Sequence, residues 1–198
     1  MLPAFALAGC SDLIGPGEAP SLYTIDPALA ALPSGPPVAW ALSVQLPEAS
    51  GSFDTNRIAL VRAPATMDYY ANAAWPDRLP LLVQGVLVRA FQDSGRIPAV
   101  AREEDALHAD YLLATTIRDF SAHYASPDGA PEARVSIAAQ LATAHGRKLV
   151  ATRTINQDVP AGANSVTEAV NAFNQALAAV ATEIVAWTLS QPAPPATP

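Results

Sequence analysis

The stretch YYANAAWPDRLPLLVQGVLVRAFQDSGRIPAV, residues 69–100, decides the architecture of this chain. It predicts one amphipathic helix with extended chain feeding in and leading out. Pro76 suits the first helical turn, where a missing N–H costs nothing, and Asp77 favours the positive end of the helix dipole. Pro80 lies close enough to the start to be absorbed. Leu79, Leu82, Val83, Val86 and Ala90 recur at helical spacing and form an apolar face. Ser94-Gly95 supplies the stop, because glycine accepts the left-handed geometry that ends helices. Leu81, Gln84 and Val88 are left pointing outward. An apolar pair on that side makes these three candidate interface residues, with cover by another part of the same chain as the competing expectation.

On either side the pattern changes to that of strands. Upstream, Val38, Trp40, Leu42, Val44 and Leu46 alternate with small or polar residues, Arg57 to Arg62 is a second strand, and Thr66 to Tyr70 a short third. Pro47 to Thr55 is a loop. Downstream, Arg96 to Ala101 is extended, and Glu103, Glu104 and Asp105 read as a solvated acidic loop rather than a carboxylate pair. Tyr111 to Phe120 and Ala133 to Ala144 are strands. His145-Gly146 forms a tight hairpin turn, and Arg147 to Val159 returns as the partner.

Ser165-Val166-Thr167-Glu168 is a capping box, with the serine capping and the glutamate reaching back. The helix it opens runs to about Leu189. Val166, Val170, Phe173, Leu177, Val180, Ile184 and Trp187 alternate steps of four and three. Asn174, Gln175 and Glu183 interrupt the apolar run and argue against a membrane span. The order of elements predicts an α+β fold, a single antiparallel-dominated sheet with two amphipathic helices packed on one face.

Composition limits the function. Of 198 residues, 51% are hydrophobic and 15% charged, which supports one sizeable core. A net charge of -7 argues against nucleic acid as a partner and against a polybasic membrane patch. The prolines concentrate at the two ends. Residues 10–37 therefore read as a Pro/Gly-rich tether, 38–190 as the domain and 191–198 as a disordered tail. Within the tether, Leu22-Tyr23-Thr24-Ile25 is a β-prone island able to dock on the domain.

The single cysteine, Cys10, excludes an internal disulfide and a cysteine-based metal site. It ends Leu7-Ala8-Gly9-Cys10, which resembles the signal of a bacterial lipoprotein, whose cysteine is acylated and becomes the mature N-terminus. Residues 1–9 are then expected to be the remnant of a signal that lacks its basic start, through a start codon placed too late or a trimmed chain, with a stray cysteine in an apolar N-terminus as the competing expectation. Ser11, rather than aspartate, favours outer-membrane sorting by the same resemblance.

No residue pattern in the sequence points to catalysis. His108, His123 and His145 have no zinc-like spacing to one another or to carboxylates, and each reads as a loop or turn histidine. No nucleophile elbow, phosphate loop or dinucleotide motif occurs. No metal and no cofactor are expected. Tyr69, Tyr70 and Trp75 cluster before the central helix, where a core anchor is favoured over a lipid or partner contact.

Several short motifs, in order, resemble the ABC-type transport auxiliary lipoprotein family: the Cys10 signal, Tyr23-Thr24-Ile25, Arg57-Ile58-Ala59, Tyr69-Tyr70, Trp75, Leu79-Pro80-Leu81-Leu82, Leu87, Ser94-Gly95, Asp110-Tyr111-Leu112-Leu113 and Ile117-Arg118-Asp119-Phe120. The resemblance implies a non-catalytic, periplasm-facing lipoprotein anchored through Cys10, in the outer membrane by preference over the inner. It also implies partnership with a mammalian-cell-entry (MCE) protein and the permease and ATPase of an ABC lipid transport system. A homo-oligomer is a further candidate assembly. The alternatives are a lipid-binding carrier in the periplasm and a structural envelope lipoprotein unrelated to transport.

Overall fold

The computed structural model describes residues 19–29, 32, 34–105 and 108–193. Cys10 and its signal motif lie outside the described residues. The described residues form an α+β fold, with two helices and a nine-stranded sheet among them.

The sheet is built around β7 (Tyr111–Tyr124), which runs for 14 residues. One side of β7 pairs antiparallel with β8 (Glu132–Thr143), and β8 pairs antiparallel with β9 (Leu149–Pro160). The other side of β7 is covered in succession by three short parallel strands: β2 (Leu42–Val44), β3 (Glu48–Ala49) and β4 (Arg57–Arg62). Beyond β4 lies antiparallel β5 (Thr66–Ala74), and beyond β2 lies parallel β6 (Val100–Arg102). The expectation of an antiparallel-dominated sheet thus holds for the long ladders, while the short pairings make the sheet mixed. Parallel pairs arise because long connections, one of them containing α1 (Leu79–Asp93), return the chain to the same edge in the same direction.

Alternation along β7 and β8 decides which face is covered. Tyr111, Leu113, Thr115 and Ile117 point inward, and a register shift between Ile117 and Asp119 then moves the phase by one. Phe120, Ala122 and Tyr124 continue the same buried face. Without that bulge, Phe120 would point outward, since side chains alternate with period two. On β8, Ala133, Val135, Ile137, Ala139 and Leu141 are all buried.

α2 (Val166–Leu189) lies against β8 and β9 and also touches α1. Phe173, Leu177, Val180 and Ile184 are almost fully buried, as the stripe predicts. α2 is long and apolar enough to cross a membrane by length and composition, yet this stripe belongs to the core. At its start Ser165 Oγ accepts from the Glu168 N–H at 3.2 Å. The other half of the capping box does not form, because the Ser165 N–H is taken by the Ala163 carbonyl.

α1 begins three residues later than Pro76 suggests. Arg78 is the N-cap, and Pro80 fills the first turn. Pro76 and Asp77 sit in the bend before it, where the Leu79 N–H donates back to the Thr55 carbonyl at 3.0 Å. The end is as expected, with Gly95 at φ 62°. The hairpin between β8 and β9 is longer than a two-residue turn. Thr143 Oγ1 donates to the His145 carbonyl at 2.8 Å and accepts from the Lys148 N–H at 3.1 Å, which closes a five-residue loop.

Candidate docking surface

Part of the segment read as a tether is packed on the domain, through Tyr23, Ile25, Leu29, Leu32 and Val38, while residues 34–37 are exposed. β1 (Ser21–Leu22) pairs parallel with the end of β5, and the Tyr23 N–H donates to the Ala74 carbonyl at 2.9 Å. Tyr23, Ile25 and Leu29 rest against the core. The Asp26 N–H donates to Asn174 Oδ1 on α2 at 2.9 Å, and its carboxylate pairs with Arg89 on α1 at 3.0 Å. Farther on, the Val38 N–H donates to the Arg96 carbonyl at 2.7 Å. The predicted docking of the β-prone island is therefore observed, and it extends into a strap over the seam between the helices. Apolar residues spaced along Tyr23, Ile25 and Leu29 were the available signal.

This strap and β6 narrow the outward side of α1. Leu81 and Val88 are half-buried, and Val88 packs against the core. Between them, Gly85 faces the Arg102 guanidinium, 3.7 Å from where a Cβ would stand. Gln84 does not point outward. It is 1% exposed, and its Nε2 donates to the Val44 carbonyl at 3.1 Å. The Leu79–Val86 face is wider than the apolar letters alone indicate, because β2 leaves a carbonyl for which a glutamine is the fitting partner. What remains open on α1 is a narrow strip carrying Leu81 and Val88.

Beside the strap, an open groove of about 830 Å³ runs along the outer side of α2. Small residues, Ala178, Thr182 and Ala186, line it together with Asp26, Glu168 and Glu183.

The aromatic cluster divides in two. Trp75 is 1% exposed and packs edge-on to Phe120 and Phe173, whose rings stack with centroids 4.8 Å apart. Trp75 is thus the core anchor expected where strand meets helix. Tyr69 instead lies on the outer side beneath the Arg57 guanidinium, 3.7 Å from its ring centroid. Tyr70 is half-buried and shares a 2.8 Å hydroxyl–hydroxyl bond with Tyr124. Burial first, and this bond second, push the Tyr70 phenol well above its ordinary value of 10.

The histidines do not converge. His108 and His145 lie in loops, as expected, but His123 is on β7, which extends four residues beyond the predicted Phe120. There Asp119, Ser121 and His123 share one face at alternate positions. His123 Nε2 lies 3.0 Å from Ser121 Oγ and 3.2 Å from Asp119 Oδ2, and Ser121 Oγ donates to Asp119 Oδ1 at 2.5 Å. A catalytic relay uses the two imidazole nitrogens separately, one toward the hydroxyl and one toward the carboxylate. Here one nitrogen meets both partners, and the serine proton is directed at the aspartate. The cluster ties one strand's polar face together. No group of three metal-ligating side chains occurs among the described residues.

Solved structures of other proteins share this outline. A crystal structure of protein XCC0632 from Xanthomonas campestris is 34% identical, with a TM-score of 0.79 over 85% of this chain and 94% of that one. A second crystal structure, of an uncharacterised protein, has a TM-score of 0.67 at 19% identity, covering 86% of this chain and 99% of that one, which is a likeness of fold alone. A curated, uncharacterised relative from Bradyrhizobium diazoefficiens is 29% identical over 187 residues. That match covers 92% of this chain and 49% of the relative, so the chain spans about half the length of the curated protein it matches. Residues 22–185, from the docked strap through most of α2, match the ABC-type transport auxiliary lipoprotein component, and the chain belongs to that family.

Proposed function

We propose that this chain is a non-catalytic envelope lipoprotein, anchored through Cys10, that docks an MCE-type ABC lipid transport assembly at a membrane. The family match over residues 22–185 carries the reading, and the Leu7-Ala8-Gly9-Cys10 motif upstream of it supplies the anchor. From Cys10 to Ser21, where β1 begins, the chain is at most about 40 Å long even when fully extended. A diacylated cysteine therefore holds the β1–β5 edge near the bilayer, most favourably at the outer membrane. One acyl chain binds only marginally, so stable anchoring takes more than one.

The docking role is preferred to that of a lipid carrier because the space between sheet and helices is occupied. Trp75, Phe120 and Phe173 fill its centre with ring-to-ring contact. A carrier needs that volume for acyl chains. The partner surface on this reading is the strip of α1 with Leu81 and Val88. Gln84, now placed in the core, supports that surface from behind rather than contributing to it.

Fractionation tests the anchor. Cys10→Ala releases the domain into the soluble fraction with its fold unchanged. Retention of the variant on membranes in high salt would place the anchor elsewhere.

A further inference from the structure

We infer that the free edge of β9 is a self-association surface, and that two copies of this chain join their sheets by antiparallel β9–β9′ pairing about a twofold axis at Ile155. β9 is the outermost strand on its side of the sheet, bonded to β8 alone. Which of its groups face outward follows from one bond. The Ala161 N–H donates to the Pro131 carbonyl at 2.8 Å, and the ladder continues from Glu132 opposite Pro160. Hydrogen-bonded pairs alternate along an antiparallel ladder, so odd-numbered residues of β9 turn their N–H and C=O toward β8. Thr152, Thr154, Asn156 and Asp158 turn theirs to the free edge. Among the described residues, nothing bonds to these eight groups, and all four side chains are exposed.

Such an edge is a template for another strand unless it is blunted. Charge is sparse here, and Pro160 interrupts the donors only at the end. The sequence then chooses the occupant, because β9 is complementary to itself in one register. With Ile155 opposite Ile155′, Thr154 meets Asn156′, Thr152 meets Asp158′ and Arg153 meets Gln157′. The two outer-face pairs can bond, no like charges meet, and Arg153 keeps its ion pair with Glu183 of α2. A shift of two residues either way sets Asp158 against Val150′ or Thr152 against Pro160′, which removes the Thr152–Asp158′ match. An isologous contact of this kind closes as a dimer.

The test is sedimentation of the full chain carrying Cys10→Ser, over a wide concentration range. The pairing gives a concentration-dependent dimer. Thr154→Pro removes one outward N–H per copy and leaves the β8 ladder intact, so it yields a monomer with an unchanged melting curve. Thr152→Asp, which sets two carboxylate pairs face to face, weakens dimerisation about tenfold, while Thr152→Lys preserves or tightens it. A wild-type monomer at all concentrations, or an assembly of any size that both Thr154→Pro and Thr152→Asp leave untouched, overturns the proposal. Should Thr154→Pro fail to fold, the opposite responses of the two Thr152 variants decide it. None of these outcomes depends on the transport reading, since no membrane or transport partner enters the assay.

Discussion

The Asp26 carboxylate lies 3.0 Å from the Arg89 guanidinium, joining the strap to α1 while the Asp26 backbone bonds to Asn174 of α2. The carboxylate is 75% exposed, so the pair itself adds little. Asp26→Ala is expected to cost less than about 1 kcal/mol in chemical denaturation. Ile25→Asp, which sets a charge against the core, should free the strap. Hydrogen exchange at Tyr23 then accelerates while the β7–β8 ladder stays protected.

Gln84 makes a second test. Removing its amide leaves the Val44 carbonyl buried without a partner, so Gln84→Leu should destabilise by ~1–3 kcal/mol despite its similar size. Denaturant unfolding measures this. No loss would mean that water or another donor reaches Val44.

Both helices, the long strands and the α+β class were legible, because each rests on a periodicity that burial enforces. α2 is the clearest case, since its stripe from Val170 to Ile184 is buried as spaced. What could not be read was long-range. Nothing local to Leu42–Val44 says that it pairs parallel with β7 and β6, and nothing local to Gln84 reveals a carbonyl 40 residues away in sequence. Two details have visible signals. Inward positions step from Ile117 to Phe120, a gap of three that marks the bulge, and Pro80 was a better first-turn proline than Pro76. The strap was underestimated because proline-rich composition outweighed its apolar spacing.

Leu177 is fully buried in the stripe that α2 lays on β8 and β9. Leu177→Ala should cost ~2–5 kcal/mol through the cavity it leaves. A near-neutral result in thermal or chemical unfolding would mean that this face of α2 does not form the core.

Alkaline pH should expose Tyr70. Its phenol is held above its ordinary value of 10 by burial and by Tyr124. The folded state therefore favours the neutral form. That contribution is complete below pH 10 and is lost as pH rises from there toward the folded value. Tyr70→Phe should flatten the decline of stability above pH 10, measured by unfolding at a series of alkaline pH values.

The most direct test of a docking lipoprotein is co-purification from detergent-solubilised envelopes of the native host, comparing the wild-type chain with Leu81→Glu/Val88→Glu. An MCE protein, with its permease and ATPase, is expected to accompany the wild-type chain and to be lost with the double variant, which stays folded although the charge at half-buried Val88 lowers its melting temperature. Retention of the partners by a folded double variant, or their absence from the wild-type preparation, would contradict the docking role.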